Sequence, residues 1–317
     1  MMAAQSPKFS TQQIMWIVVG ALMPGLVMQA SIYGLGVVWN AVICVGFCLA
    51  FEWVCLAALR KPNKTNFVVD GSAVLSGLLI ALCLPPFTHV ALLALAALGA
   101  IGLAKYAYGG LGQNLFNPAM VGYAVVLVSF PALLTDWYPN QQIDGLSGAT
   151  LLSEFKFRQG ITADEFYAAH ELSLADNQAI MLSYATGGAV LMYLRLIAWR
   201  IPAALCGTLL VIATFGDDGG SSFSLGSFWF HLTAGGFGLA LFFVFTDPVT
   251  HPHHHKHQIL FGVIAAFIVY FVRAFGVYPD GIAFAVLLCN CLTPFFNQAT
   301  VKQKNTNEPK NVDGEPQ

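Results

Sequence analysis

Apolar residues run almost without relief from about residue 14 to residue 296, interrupted by Gly, Pro and a few polar positions. A bilayer's hydrocarbon core, about 30 Å thick, takes roughly 20 apolar residues as helix. The pattern predicts ten spans, at about 14–33, 36–59, 71–85, 89–107, 117–134, 178–197, 201–216, 228–246, 258–275 and 280–296. The third and seventh are short, contain Gly and are bounded by Pro. The first has a signal-peptide look, but one Lys precedes it and further spans follow at once, so it reads as a helix. Two stretches break the pattern: a hydrophilic segment at 135–177 and a polar, Pro-containing tail at 302–317, expected to be disordered. The predicted class is all-α, a polytopic membrane protein.

Composition agrees. Of 317 residues, 57% are hydrophobic and 9% charged, against about 25% charged in soluble proteins. With a net charge of −2 and no basic patch, a cytosolic enzyme and a nucleic-acid binder are excluded as readings. All seven cysteines lie in apolar runs without C-x-x-C spacing, where a free thiol behaves as a small hydrophobe.

Charge placement predicts orientation. Ten spans put Lys8, Arg60, Lys61, Lys64, Lys105, Arg195, Arg200, Lys256, Lys302, Lys304 and Lys310 on one side, with both termini. Only Lys156, Arg158 and Arg273 fall on the other. The positive-inside rule makes the first side cytoplasmic. The segment 135–177, with seven of the 16 acids, then faces outward.

Two matches hint at a duplication. Gly77-Leu78, Pro85-Pro86 and Thr88-His89 are echoed by Gly238-Leu239, Pro248 and Thr250-His251. Tyr123 to Pro131 is echoed by Phe284 to Pro294. Five helices repeated twice require an inverted second copy, and in such folds broken helices meet near the midplane. The expected division is a first repeat at 1–134, an extracytoplasmic loop at 135–177, a second repeat at 178–298 and a tail at 299–317.

The outer segment contains Asp144-Gly145-Leu146-Ser147-Gly148-Ala149-Thr150. By itself it reads as a turn followed by a helix cap, Ser147 or Thr150 capping a helix at 151–158. The next helix opens with a capping box, Thr162 to Glu165. The string also resembles the motif at which flavin transferases attach FMN, through a phosphoester, to a threonine hydroxyl. Further matches accompany it: Asp70-Gly71-Ser72-Ala73 leading to Leu84-Pro85-Pro86, Gly112-Gln113-Asn114 through Asn117-Pro118-Ala119 to Tyr123, and Thr246-Asp247-Pro248-Val249. From about 15 to 295 the chain resembles the NqrB/RnfD family, membrane subunits of ion-pumping quinone reductases and of Rnf electron-transport complexes.

The resemblance implies FMN on Thr150, with Ser147, Gly148 and Ala149 forming the acceptor strand and Asp144 positioning it or a metal ion. It also admits a second, non-covalent flavin, riboflavin, as NqrB-like relatives hold one. Implied partners are the other subunits of an Rnf-type complex, a flavin transferase and the lipid bilayer of a bacterial inner membrane, with Thr150 on the periplasmic side. The implied reaction couples electron transfer between ferredoxin and NAD to ion movement.

Other residues carry local readings. Glu52 at membrane depth is an ion-pathway acid or a paired carboxylate. Asp70 and Asp247 sit at ends of short helices, as caps, flavin contacts or ion-route groups. Asn114 and Asn117 belong to the same candidate environment; Asn117-Pro118 reads as an N-cap with Pro at the first helical position. A water-channel reading of Asn117-Pro118-Ala119 fails for want of a second copy. The run His251 to His257, which departs from the family pattern, reads as a solvated loop. The competing function classes are a stand-alone solute or ion channel or transporter built from inverted repeats, and a passive scaffold.

Overall fold

The computed structural model describes residues 9–59, 70–134, 137, 150–278 and 280–307, the stretch 299–307 by backbone alone. Among them the regular structure is all helical. Helices α1 (Thr11–Tyr33) and α2 (Gly36–Ala58) form a hairpin, joined by Gly34 at φ 86°. Ser10 and Gln13 close a capping box at the start of α1. The short α3 (Ser72–Ala81) ends in turns through Pro85 and Pro86, because proline supplies no N–H to continue a helix. Helix α4 (Val90–Leu98) widens into a π-helical segment, Gly99–Tyr106, and α5 (Pro118–Ser129) follows.

Two short helices, α6 (Leu151–Lys156) and α7 (Ala163–Ala169), precede α8 (Glu171–Tyr193). Next come α9 (Arg200–Gly216) and a broken element, α10 (Phe228–Thr233) and α11 (Phe237–Leu239), the latter running on as π helix Ala240–Val244. The chain closes with α12 (His255–Phe275) and α13 (Ile282–Asn307).

Thr11–Tyr33, Gly36–Ala58 and His255–Phe275 are long and apolar enough to cross a membrane by length and composition; five further apolar helices are shorter. Large apolar side chains such as Val42, Phe215, Phe267 and Phe271 remain exposed. In water such a surface would aggregate; facing lipid it loses nothing.

Close packing explains the element pairs. Helix α1 lies along α8 because Gly25 leaves room for the Tyr184 ring, and Gly187 leaves room for the Ala21 carbonyl. Helix α2 packs on α3, where a Cβ on Gly77 would stand 2.7 Å from the Val45 Cα. Helices α9 and α12 form a further tight pair, and α5 meets α13.

Several expectations need correction. The seventh predicted span is an unbroken 17-residue helix, Arg200–Gly216, and the interruption falls in the eighth, at Ala234-Gly235-Gly236. The histidine run is not a solvated loop throughout: His251 is buried, its Nδ1 2.8 Å from the Pro252 carbonyl, and His254 caps α12, which starts three residues earlier than predicted. Helix α13 takes in residues 299–307, which composition assigned to a disordered tail. Helix α8 begins at Glu171, inside the segment read as loop.

Candidate functional site

Thr150 sits at the N-cap of α6, its Oγ1 accepting from the Ser153 N–H at 3.2 Å. It is half-buried. The cap reading from sequence therefore stands, as does the Thr162–Glu165 capping box on α7. Asp144, Ser147, Gly148 and Ala149 lie outside the described residues.

What holds Thr150 in place is a small second core. Leu151, Leu152 and Phe155 of α6 pack with Ala163 and Phe166 of α7 and with Phe230 and Ala234. Arg158 covers this core, its guanidinium 3.8 Å from the Phe155 ring centroid and its Nη1 donating to the Phe155 carbonyl at 2.7 Å. Lys156 Nζ donates to the Val272 and Tyr278 carbonyls at 2.9 and 3.0 Å, tying α6 to the end of α12. Burial pushes the pKa of this ammonium down. A partly desolvated cation tolerates its site because the carbonyl dipoles replace water.

Beside Thr150 opens a cavity of about 420 Å³, inside the ~300–1,000 Å³ range of small-molecule sites. Its walls are mainly apolar and aromatic, with Leu82, Tyr123, Leu127, Trp137, Leu239 and Tyr278 among them. Polar groups are few: Gln29, Asn177 and Asp280 besides Thr150 and Ser153. Asp280 is anchored by Arg273, whose Nε and Nη2 donate to Oδ1 at 3.3 and 3.2 Å. Arg273 itself is buried and donates to the His231 and Ala234 carbonyls at 2.6 and 3.1 Å. Gly235, at φ 70°, lets the backbone turn there; its Cβ would stand 2.7 Å from Leu152 Cδ1. Gln29 is buried, and its Oε1 has no partner among the described residues. A flat heteroaromatic group with one polar edge suits these walls, and flavin is such a group.

A second, smaller cavity of about 90 Å³ is bordered by Ser72, Lys105, Asn114, Asn117, Thr246 and Asp247. Here the structure joins residues that the linear sequence presents singly. Asn117 caps α5, its Oδ1 accepting from Met120 N, and its Nδ2 donates to Asp247 Oδ2 at 3.2 Å. The Asn117 N–H donates to Asn290 Oδ1 at 2.9 Å. Asp247 also accepts from Val249 N and Thr250 Oγ1. Asn114 turns inward locally, donating to the Phe116 carbonyl at 3.0 Å. Asn290 gives no signal in the sequence, because an amide inside an apolar helix has no spacing to flag it.

Glu52 is paired. Lys105 Nζ donates to its Oε1 at 2.5 Å, and the Tyr106 hydroxyl donates to the same oxygen at 2.7 Å. Lys105 also reaches Ser72 Oγ at 2.6 Å, and Ser72 donates to Asp70 Oδ1 through both Oγ and N–H. Asp70 thus serves the start of α3. Lys105, counted on the cytoplasmic side near the end of the fourth predicted span, is 2% exposed. Among the described residues no group of three or more His, Cys, Asp or Glu could hold a metal ion.

Residues 4–306 match the model of the NQR2, RnfD, RnfE family. The chain belongs to that family. It is 37% identical to a protein of Ectopseudomonas mendocina named as a subunit of an ion-translocating oxidoreductase complex, over 92% of this chain and 90% of that protein. Proteins of the same name from Pseudomonas aeruginosa strain UCBPP-PA14 and Cellvibrio japonicus are 36% and 35% identical, each over 92% of this chain and 90% and 89% of theirs. Ser72, Asn117 and Asp247, from three segments well apart in the chain, border one cavity.

Proposed function

We propose that this chain is the flavin-carrying membrane subunit of an Rnf-type ion-translocating oxidoreductase complex, with FMN held through a phosphoester to Thr150. Family membership and relatives named as subunits of such complexes support the complex. One observation carries the flavin: Thr150 stands on an anchored cap at the wall of a cavity whose size and lining suit a flavin ring. When bound, FMN supplies the electron-transfer chemistry, between the ferredoxin and NAD couples of the whole complex, and the protein supplies position and field.

The chain's own residues divide that task. Thr150 offers the hydroxyl, with Asp144, Ser147, Gly148 and Ala149 as the strand a flavin transferase grips. The α6 platform holds the attachment point still. Leu82, Leu127 and Leu239 exclude water from the ring's faces. We assign the smaller cavity, with Asn114, Asn117, Asp247 and Lys105, to a second flavin such as riboflavin; at about 90 Å³ it would have to widen. The hydrogen-bonded line Glu52–Lys105–Ser72–Asp70 is our candidate for the ion route.

The ten-helix inverted repeat belongs to the same reading. Helices at matching places in the two halves pack on each other, α1 on α8 and α5 on α13, which supports a pseudo-two-fold axis running between them. Gly77 and Gly238, paired in the duplication, both sit where a Cβ would crowd a neighbour. Both termini are assigned to the cytoplasm and Thr150 to the periplasm.

Intact mass and in-gel fluorescence after co-expression with a flavin transferase test the flavin. Wild type is expected to carry the mass of one FMN on the Thr150 peptide and a fluorescent band that survives denaturation. Thr150→Ala should lose both. A wild-type chain without the added mass overturns the reading.

A further inference from the structure

One residue of the Thr150 cavity wall, Gln29, carries a buried polar atom that the described residues leave unmatched. Gln29 lies one turn before the end of α1, is 5% exposed, and its Oε1 has no hydrogen-bond partner among the described residues. Leaving a buried acceptor unpaired costs about 1–3 kcal/mol. The helix that carries it is held in place. Gly25, four residues earlier and on the same face, takes the Tyr184 ring against its bare Cα, pressing α1 onto α8. Two other polar side chains of the wall are engaged: Asn177 donates to the Ser173 carbonyl, and Asp280 Oδ1 receives Arg273 and the Ile282 N–H.

We propose that Gln29 is a positioning residue that reads the pyrimidine edge of the flavin ring tethered at Thr150. The proposal rests on the Thr150 reading. A carboxamide presents an acceptor and a donor side by side. The pyrimidine edge of an isoalloxazine presents an N3–H donor flanked by two carbonyl acceptors. Gln29 Oε1 takes the N3–H, and Nε2 donates to one neighbouring carbonyl, giving two roughly parallel bonds in the ring plane. A carboxylate would match only the N3–H, and an ammonium only the carbonyl. With the phosphate end fixed at Thr150 and the pyrimidine edge fixed at Gln29, the ring has one orientation between them. The Nε2 donor also stabilises the electron density that gathers on that carbonyl when the ring is reduced, so it raises the reduction potential.

The experiment compares wild type, Gln29→Leu, Gln29→Asn and Thr150→Ala, with and without Gln29→Leu, as full chains co-expressed with a flavin transferase. Intact mass reports attachment; a spectroelectrochemical titration reports the flavin's absorbance and potential. Gln29→Leu is expected to retain the FMN mass, shift the visible bands and lower the reduction equilibrium about tenfold, ~30 mV for two electrons. Gln29→Asn, which keeps the amide on a shorter arm, should recover part of the change. In the flavin-free Thr150→Ala background, Gln29→Leu should leave thermal stability unchanged or raised, since it removes an unpaired polar group. An FMN-bearing Gln29→Leu chain with wild-type spectrum and potential overturns the role of Gln29 while the Thr150 reading stands. Equal destabilisation of loaded and flavin-free chains also overturns it, showing a structural residue. Wild type without FMN overturns both.

Discussion

Glu52 and Lys105 show how much a single residue's meaning depends on what reaches it. By spacing alone, Glu52 is an acid at membrane depth and Lys105 a cation near the cytoplasmic end of its span. In the fold they form a buried pair at 2.5 Å, backed by Tyr106 and Ser72. Neither partner is legible from the other, because 53 residues separate them. Removing one member of a buried pair strands the other charge, at a cost of about 3–5 kcal/mol, whereas replacing both with apolar groups is often neutral. Glu52→Gln and Lys105→Met are each expected to lower thermal stability in detergent sharply, and a Glu52→Leu, Lys105→Met double variant to recover most of the loss. Additive losses in the double variant would show that the two residues act separately. Thr150 lies at the other extreme. Its cap and its motif are both readable in sequence, since each is local, but the cavity beside it is built from segments more than a hundred residues apart.

At the scale of elements, glycine placement decides which helices touch. Gly187 of α8 meets α1 so closely that any Cβ would strike the Ala21 carbonyl. Backbone cannot yield as a flexible side chain does, so Gly187→Ala should force α1 and α8 apart. The expected result is a loss of about 1–3 kcal/mol, the usual penalty for overpacking, read as a lower unfolding temperature. Gly207→Ala, with nothing near its Cβ, should leave that temperature unchanged or raised. Hydropathy locates the elements well but misassigns the break. Gly and Pro mark where a helix can be interrupted, while the break at Ala234-Gly235-Gly236 is set by Arg273 bonding the His231 and Ala234 carbonyls. Those bonds satisfy carbonyls that a continuous helix would satisfy internally.

The molecule as a whole has two polar ends of different construction. One carries the Asn117–Asp247–Asn290 network and the Glu52–Lys105 line; the other carries the Thr150 platform and the larger cavity. The assigned topology places them on opposite sides of the membrane. A green fluorescent protein fused after the last residue should fluoresce, and alkaline phosphatase fused after Gly160 should be active. The opposite pattern would invert the orientation drawn from the basic residues.

Sequence alone determined that this is a helical membrane protein, roughly where its helices lie, that it resembles the NqrB/RnfD family, and which threonine ends a string that resembles a flavin-attachment motif. Each of these rests on composition, periodicity or a contiguous string, properties that a linear chain displays. The tertiary structure alone decided that Glu52 has a partner, that Asp247, Asn117 and Asn290 form one network, and that Gln29 of the first helix shares a cavity with Thr150. In an apolar chain one Gln or Asn among many Leu and Ala gives no periodic signal. Its role is set by which helices pack close enough to bring it to a neighbour, and bare glycines such as Gly25 and Gly187 make that approach sterically possible.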